Sequence, residues 1–319
     1  MTWLITGGAG YIGAHVVSAF TDAGLEPVVV DNLSSGRTGF VPDGVRLEVG
    51  DVRDVDLLRR VMREHRVDAV VHLAAFKYAG ASVAQPLHTY EQNVVGTMGL
   101  LAAMQQEGVE SLVFSSSSAV YGTPDVDVVT EDTPVGPESP YGESKLVGEW
   151  LLRDQARVTG LRHTSLRYFN VVGSTVVPDT SPHNLFPLVM DALDRGEAPR
   201  IFGGDYPTPD GTCVRDYVHV ADVAAAHVTA AVSLTEGTDL DPVYNLGSGT
   251  GVSVRQIMDA FAQVTGTDFT PVTVERRPGD PARIVASGES ARRDLGWTMR
   301  HSLAEMVASA WSTHCPLAG

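Results

Sequence analysis

Gly7, Gly10 and Gly13 punctuate the run Gly7-Gly8-Ala9-Gly10-Tyr11-Ile12-Gly13. The run follows an apolar stretch at 3–5 and opens a helical pattern at 12–23 that carries Val16, Val17 and Phe20 on one face. Glycine at this spacing allows a tight strand-to-helix turn, close approach of a ligand to the backbone, and close packing of helix on strand. A second apolar stretch at 27–30 ends in Asp31, 18 residues beyond Gly13. A carboxylate there accepts hydrogen bonds from an adenosine ribose, and its charge repels a 2′-phosphate. The expectation is a βαβ unit binding NAD rather than NADP, with the pyrophosphate on the amides at the positive end of the first helix. Arg37 is close enough in sequence to receive a 2′-phosphate, but an exposed loop arginine is its expected role.

The same alternation continues through strand-length runs at 46–49, 69–73, 111–115 and 162–167 and helical patterns near 55–64, 90–106 and 141–159. Strands that are apolar on both faces, set between helices, indicate a parallel sheet covered on both sides. After about Asn170, Gly and Pro become frequent and the rhythm weakens. The expected fold is therefore α/β, a Rossmann-type doubly wound parallel sheet over 1–170 with a smaller C-terminal substrate-binding domain over 171–319. The patterns at 220–233 and 243–246 are regular enough that 214–247 is expected to return to the first domain, which makes the boundary interleaved.

Composition narrows the partners. Across 319 residues, 23 Lys and Arg face 39 Asp and Glu, a net charge of −16 that disfavours nucleic acid and anionic membranes. An anionic small ligand then needs local arginines. Cys213 and Cys315 lie far apart, so neither a disulfide framework nor a thiolate metal site is expected, and the scattered histidines offer no metal spacing. No apolar run reaches the roughly 20 residues of a membrane span, and the first residues lack signal-peptide features. A cytoplasmic setting is expected.

Tyr141 and Lys145 stand one helical turn apart and share a face. An ammonium beside a phenol, together with the positive ring of NAD⁺, lowers the phenol from its usual value near ~10 toward neutrality, which makes Tyr141 a candidate base. The run Ser115-Ser116-Ser117-Ser118 falls at the carboxyl end of the fifth expected strand, the edge where open α/β sheets bind ligands. A serine hydroxyl there can donate to a substrate oxygen and pass its proton to the tyrosine. Asp51, after Gly50 at the end of the third strand, has two readings: a contact to the adenine amino group, or a cap for the following helix.

These elements form part of a longer set: Asp31-Asn32-Leu33, Gly50-Asp51, His72-Leu73-Ala74-Ala75-Phe76-Lys77, Arg167-Tyr168-Phe169-Asn170, Asn184-Leu185-Phe186-Pro187, Val214-Arg215-Asp216-Tyr217, Tyr244-Asn245-Leu246-Gly247 and Arg276-Arg277-Pro278-Gly279-Asp280. In this order, across essentially the whole chain, they resemble the extended short-chain dehydrogenase/reductase superfamily and, within it, the UDP-glucose 4-epimerase family. The resemblance implies that Tyr141, assisted by Ser117, removes the proton of the sugar C4 hydroxyl while the C4 hydride passes to NAD⁺. The keto sugar then turns over and is reduced on its other face. It implies a tightly held NAD and a homodimer. Lys145 would hold the nicotinamide ribose and tune Tyr141. By the same resemblance Gly7, Gly10, Tyr11, Ile12, Gly13, Asp31, Asn32, Asp51, Val52, Leu73, Ala74, Ala75, Lys77, Asn93, Ser115 and Phe169 would line the NAD site. Lys77, Asn170, Asn184, Leu185, Phe202, Arg215, Tyr217, Arg277 and Asp280 would hold the nucleotide sugar. Ile284 falls where the family sets hexose size, and its intermediate bulk leaves N-acetylhexosamines open.

Related dehydratases carry a Thr-Asp-Glu run before Val-Tyr-Gly, where this chain has Ser117-Ser118-Ala119 ahead of Val120-Tyr121-Gly122, so the carboxylate that dehydration needs is missing. A keto-sugar reductase would need exchangeable NAD(P)H, and a non-catalytic NAD sensor would not need Ser117, Tyr141 and Lys145. Two departures bear on the sugar pocket: Ala81 where epimerases commonly carry Glu, and a short loop from Gly173 to His183. For a dimer, Val94, Leu100, Leu101 and Met104 with Leu146, Val147 and Leu151 offer two apolar helix faces, which core packing explains equally well.

Overall fold

The computed structural model describes residues 1–277 and 280–314, so Cys315 and the Pro278-Gly279 pair lie outside it. Its centre is a seven-stranded parallel sheet in which alternate residues of each strand face opposite helical layers. The strands are β1 (Thr2–Thr6), β2 (Glu26–Asp31), β3 (Arg46–Val49), β4 (Val67–His72), β5 (Ser111–Ser117), β6 (Arg162–Tyr168) and, later in the chain, β11 (Val243–Leu246). They lie in the order β3-β2-β1-β4-β5-β6-β11. Trp3, Ile5, Val29 and Val71 pack on one face with Val16, Val17 and Phe20 of α1 (Tyr11–Asp22). Leu4, Val28, Val30 and Val70 face the other layer, α2 (Val55–Glu64) and, further along, α5 (Gly96–Glu107) and α6 (Pro140–Thr159). This is the two-sided burial that the apolar strands indicated.

Between β4 and α5 lie α3 (Ala79–Ala84), α4 (Pro86–Tyr90) and a π-helical turn over Glu91–Val95. The sequence pattern at 90–106 shows one helix; the structure keeps it helical throughout, with this π turn, which carries Asn93, leading into α5.

After β6 come β7 (Asn170–Val172), α7 (Leu185–Asp194), β8 (Arg200–Phe202), β9 (Val214–Arg215), β10 (Tyr217–His219) and α8 (Val220–Thr235). α8 packs on α1 and, with β11, joins the main layers. The chain continues with β12 (Val252–Ser253), α9 (Val254–Thr265), β13 (Val272–Val274), β14 (Arg283–Ile284), α10 (Glu289–Leu295) and α11 (Leu303–Thr313). α7, α9 and α11 share a second core of Phe186, Met190, Ile257, Phe261, Met306 and Val307.

Leu100, Leu101, Met104 and Leu146 are buried in the molecule's own core. The large apolar side chains left exposed on α3 to α6 and the turn among them are Val83, Leu87, Val95, Met98, Trp150 and Val158. No helix among the described residues is long and apolar enough to cross a membrane.

Candidate active site

Strand order reverses between β1 and β4, and in an open sheet the crevice outside the carboxyl ends at such a point is where ligands bind. A single crevice of about 1230 Å³ runs from this point across to β9. At one end are Gly7, Gly10, Tyr11, Ile12, Gly13, Asp31, Asn32 and Val52, in the middle Leu73, Ala74, Ala75, Lys77, Ser115, Ser117, Tyr141, Lys145 and Phe169, and beyond them Asn170, Asn184, Leu185, Phe202, Arg215, Tyr217, Arg277 and Asp280.

The glycine end is built by close approach. A Cβ on Gly13 would stand 2.1 Å from the Gly7 carbonyl oxygen, and one on Gly7 2.6 Å from the Ala74 amide nitrogen. Gly10 caps α1 with no side-chain hydrogen bond and the first turn holds no acid, so the positive end of this helix faces the crevice unneutralised. Burial raises the Asp31 carboxyl above its ordinary range, offset in part by amides of Leu33 (2.8 Å) and Ala9 (3.0 Å) and by the charge of Lys77. Each carboxylate oxygen keeps acceptor capacity for a further donor. A free helix end beside a carboxylate at this spacing fits the diphosphate and ribose of NAD. Arg37 is exposed, with its guanidinium over the Phe40 ring.

Two close contacts bring α6 onto β5 and the turn that follows it. A Cβ on Gly142 would meet the Ala119 carbonyl oxygen at 2.4 Å, and one on Gly148 the Phe114 ring at 2.5 Å. Ser139 caps the helix through the Gly142 amide, and the Tyr141 amide donates to Ser82 Oγ at 3.1 Å. Tyr141 is thereby set beside the Ser117 hydroxyl. Lys145 Nζ donates to the Ser115 carbonyl oxygen at 2.7 Å and lies 5.9 Å from the Tyr141 ring centre. Burial pushes the Lys145 ammonium down to about 7, with Glu149 pulling it up. Burial also raises the Tyr141 phenol, and the Ser117 hydrogen bond offsets only part of this. The lowering expected of this phenol rests on the ammonium and the positive ring of NAD⁺ together; among the protein's own groups, desolvation prevails.

At the far end, the Arg277 guanidinium stacks 3.9 Å from the Phe202 ring centre, and Arg215 Nη2 lies 3.4 Å from Asp280 Oδ1. Burial pushes the Tyr217 phenol up to about 12; Asn170 hydrogen-bonds to it. Asn184 donates to Asp179 Oδ2 at 2.7 Å.

Three residues expected at the ligand do not line the crevice. Asp51 accepts from Arg53 Nε at 2.8 Å and Asn32 Nδ2 at 3.0 Å, and the Arg53 hydrogen bond leads in holding its carboxyl down at about 2. It is not the helix cap either; Asp54 fills that role. Asn93 is buried, accepting from the Phe76 amide and donating to the Phe76 carbonyl and Ser144 Oγ, so both N–H donors of its amide are used. Ile284 is partly buried against the cluster of Val120, Tyr121, Val129, Leu146, Phe169 and Ala286, and pairs with Arg215 between β14 and β9.

The family model described as "NAD dependent epimerase/dehydratase family" matches residues 3–247. The chain belongs to this family. It is 44% identical over 316 residues to the UDP-glucose 4-epimerase of Azospirillum brasilense, covering 97% of this chain and 90% of that protein. Its backbone is similar to a crystal structure of a UDP-glucose 4-epimerase (TM-score 0.95, 42% identity, 98% of this chain and 97% of the other). A second similar structure is the UDP-glucose 4-epimerase of Stenotrophomonas maltophila with bound NAD and formylated UDP-arabinopyranose (TM-score 0.92, 39% identity, 98% and 97% covered).

Around the Tyr141/Lys145 pair of this family member stand groups to which the sequence analysis gave no role. His72 is buried and held neutral, pushed to about 3 by burial and by the Lys145 charge. Thr97 donates to the Asn93 carbonyl, so His72 donates from Nε2 to Thr97 (3.1 Å) and accepts at Nδ1 from Thr6 (2.7 Å). Glu149 and Arg167 form a buried pair beneath β5. The helical spacing Lys145/Glu149 was a signal for the carboxylate; its partner on another strand left none.

Proposed function

We propose that this chain interconverts UDP-glucose and UDP-galactose by reversible oxidation at the sugar C4, with Tyr141 as base and acid, Ser117 as its hydroxyl relay and Lys145 as its charge partner. The observation that carries the reading is one continuous crevice with this triad between a glycine-rich, NAD-shaped end and an arginine-lined end. NAD, when bound, would supply the reversible two-electron acceptor. Tyr141 takes the proton of the C4 hydroxyl through Ser117 and returns it when the sugar is reduced on its other face. Arg215 and Arg277 supply the local positive charge that a diphosphate needs on a chain of net charge −16. Because no net oxidation results, NAD is held between turnovers rather than exchanged.

The crevice carboxylates among the described residues are Asp31 at one end and Glu197 and Asp280 toward the other. Ser117, Ser118 and Ala119 line it without one, which supports epimerisation over dehydration. The intermediate bulk of Ile284, the neighbour of Arg215 across β14 and β9, keeps UDP-N-acetylhexosamines as the alternative substrate class.

We assign 1–170 together with 214–247 to the NAD-binding unit and the remainder of 171–319 mainly to the nucleotide-sugar side. Homodimerisation in a cytoplasmic setting completes the reading; the exposed apolar side chains Val83, Leu87, Val95, Met98 and Trp150 support it.

The test is incubation of purified protein with UDP-galactose and no added cofactor, beside an assay for NAD released on denaturation. UDP-glucose formation with stoichiometric NAD is expected, and Tyr141→Phe lowers turnover by about 10²–10⁴-fold. Turnover only with added NADPH would replace this reading with that of a reductase.

A further inference from the structure

Glu149 stands one helical turn beyond Lys145 on α6, and both are buried. Two consecutive residues of β5 hold them: the Ser115 carbonyl oxygen accepts from Lys145 Nζ at 2.7 Å, and the Ser116 hydroxyl donates to Glu149 Oε1 at 2.5 Å. From β6, in register with Ser116, Arg167 donates from Nε to Oε1 at 2.8 Å and from Nη2 to Oε2 at 2.5 Å. The third guanidinium nitrogen donates to Tyr121 Oη at 2.8 Å, and that hydroxyl donates to Asn245 Oδ1 at 2.8 Å. The carboxylate is thus fixed by three donors on two strands.

Other titratable groups packed near the ammonium do not provide an anion. His72 on β4 is neutral, and burial raises the phenols of Tyr141 on α6 and Tyr168 on β6. The charge that Lys145 feels as favourable comes from Glu149, against the burial that pushes the ammonium down to about 7.

We propose that Glu149, clamped by Arg167 and Ser116, is a positioning residue whose carboxylate keeps Lys145 in its cationic form beside Tyr141 and so sets the alkaline limit of turnover. The inference rests on the reading of Tyr141 and Lys145 as the proton-transfer pair. Without the carboxylate, Lys145 loses its proton at lower pH, and the cation beside the phenol is lost within the working range. With it, the pair stays charged to higher pH, although Glu149 touches neither substrate nor cofactor.

The experiment compares kcat and KM from pH 5.5 to 9.5 for wild type and Glu149→Gln, with NAD content and thermal unfolding measured on the same preparations. The alkaline limb of kcat is expected to move down by about one pH unit with KM within twofold, and Glu149→Asp to return the limb most of the way. Should Glu149→Gln fail to fold, Glu149→Met/Arg167→Met removes both members of the pair, avoids an orphaned buried charge, and is expected to move the limb in the same direction. A uniform fall in kcat with the limb in place, in whichever variant folds, overturns the proposal. Absence of turnover in the wild type at every pH would instead count against the epimerase reading.

Discussion

The Lys145 ammonium donates to the Ser115 carbonyl oxygen at 2.7 Å, which anchors a buried cation of α6 to the strand that carries Ser117. The same bond keeps the charge below the Tyr141 ring rather than in solvent. Replacing Lys145 by Met removes a buried charge that is unfavourable to desolvate but also leaves a carbonyl without its donor, and these effects oppose. Lys145→Met should therefore shift the unfolding temperature by only a few degrees, while turnover falls by about 10²–10⁴-fold. Scanning calorimetry beside steady-state kinetics checks both; a large loss of stability that accounts for the loss of activity would contradict the assignment.

The Gly7–Gly13 contact predicts a substitution that acts on the cofactor end alone. Gly13→Ala drives a methyl group against backbone at 2.1 Å, which the turn can relieve only by opening. A destabilisation of about 1–3 kcal/mol and loss of co-purifying NAD are expected. Gly39→Ala, where a Cβ meets nothing within 4 Å, should leave both unchanged. Equal NAD content in the two variants would show that the glycine turn does not form the cofactor site.

Arg277 over Phe202 addresses the nucleotide end. Arg277→Ala removes a guanidinium held equally in ground and transition states, so it should raise KM for the UDP-sugar about 10–100-fold, with kcat less affected and bound NAD retained. Lysine at this position restores the charge but not the stacked planar fork, and is expected to recover only part of the loss. A fall in kcat with unchanged KM would place Arg277 elsewhere in the reaction.

Acid stability follows from the buried histidines. Burial pushes His227 and His219 down to about 4 and His72 to about 3, from an ordinary value of 6.5. The unfolded chain binds these protons near 6.5 and the folded one only well below it, so stability is full above about 6.5 and is lost as pH falls toward 4. Urea midpoints should drop between pH 7 and pH 5, and His227→Gln, which removes one of these groups, should flatten the fall. Midpoints that stay constant over that range would mean these imidazoles are not buried as neutral groups.

The strands and helices of the sheet were legible because they obey local rules: two-sided apolar strands, a glycine turn, and a serine and proline at the start of α6. In the candidate site, the glycine turn, Asp31, the serine run and the Tyr141/Lys145 pair were legible in the same way, since residues at the carboxyl ends of parallel strands must meet at one edge; the nucleotide-sugar residues came from the family resemblance. What residues 3–170 encode in periodicity and turn chemistry is therefore the frame and the cast of the crevice. Which of those side chains still have hydrogen-bonding capacity is decided by partners brought from elsewhere in the chain. The N–H donors of Asn93 are taken by Phe76 and Ser144, and the carboxylate of Asp51 by Arg53 and Asn32. Tyr141 and Lys145 share a helix face by spacing alone, yet the balance of burial against Glu149, Ser117 and His72 that sets their protons exists only once β4, β5 and α6 are packed. Spacing along one helix is a local property; desolvation and the saturation of donors and acceptors are properties of the packed interior, and they depend on every strand that closes around the site.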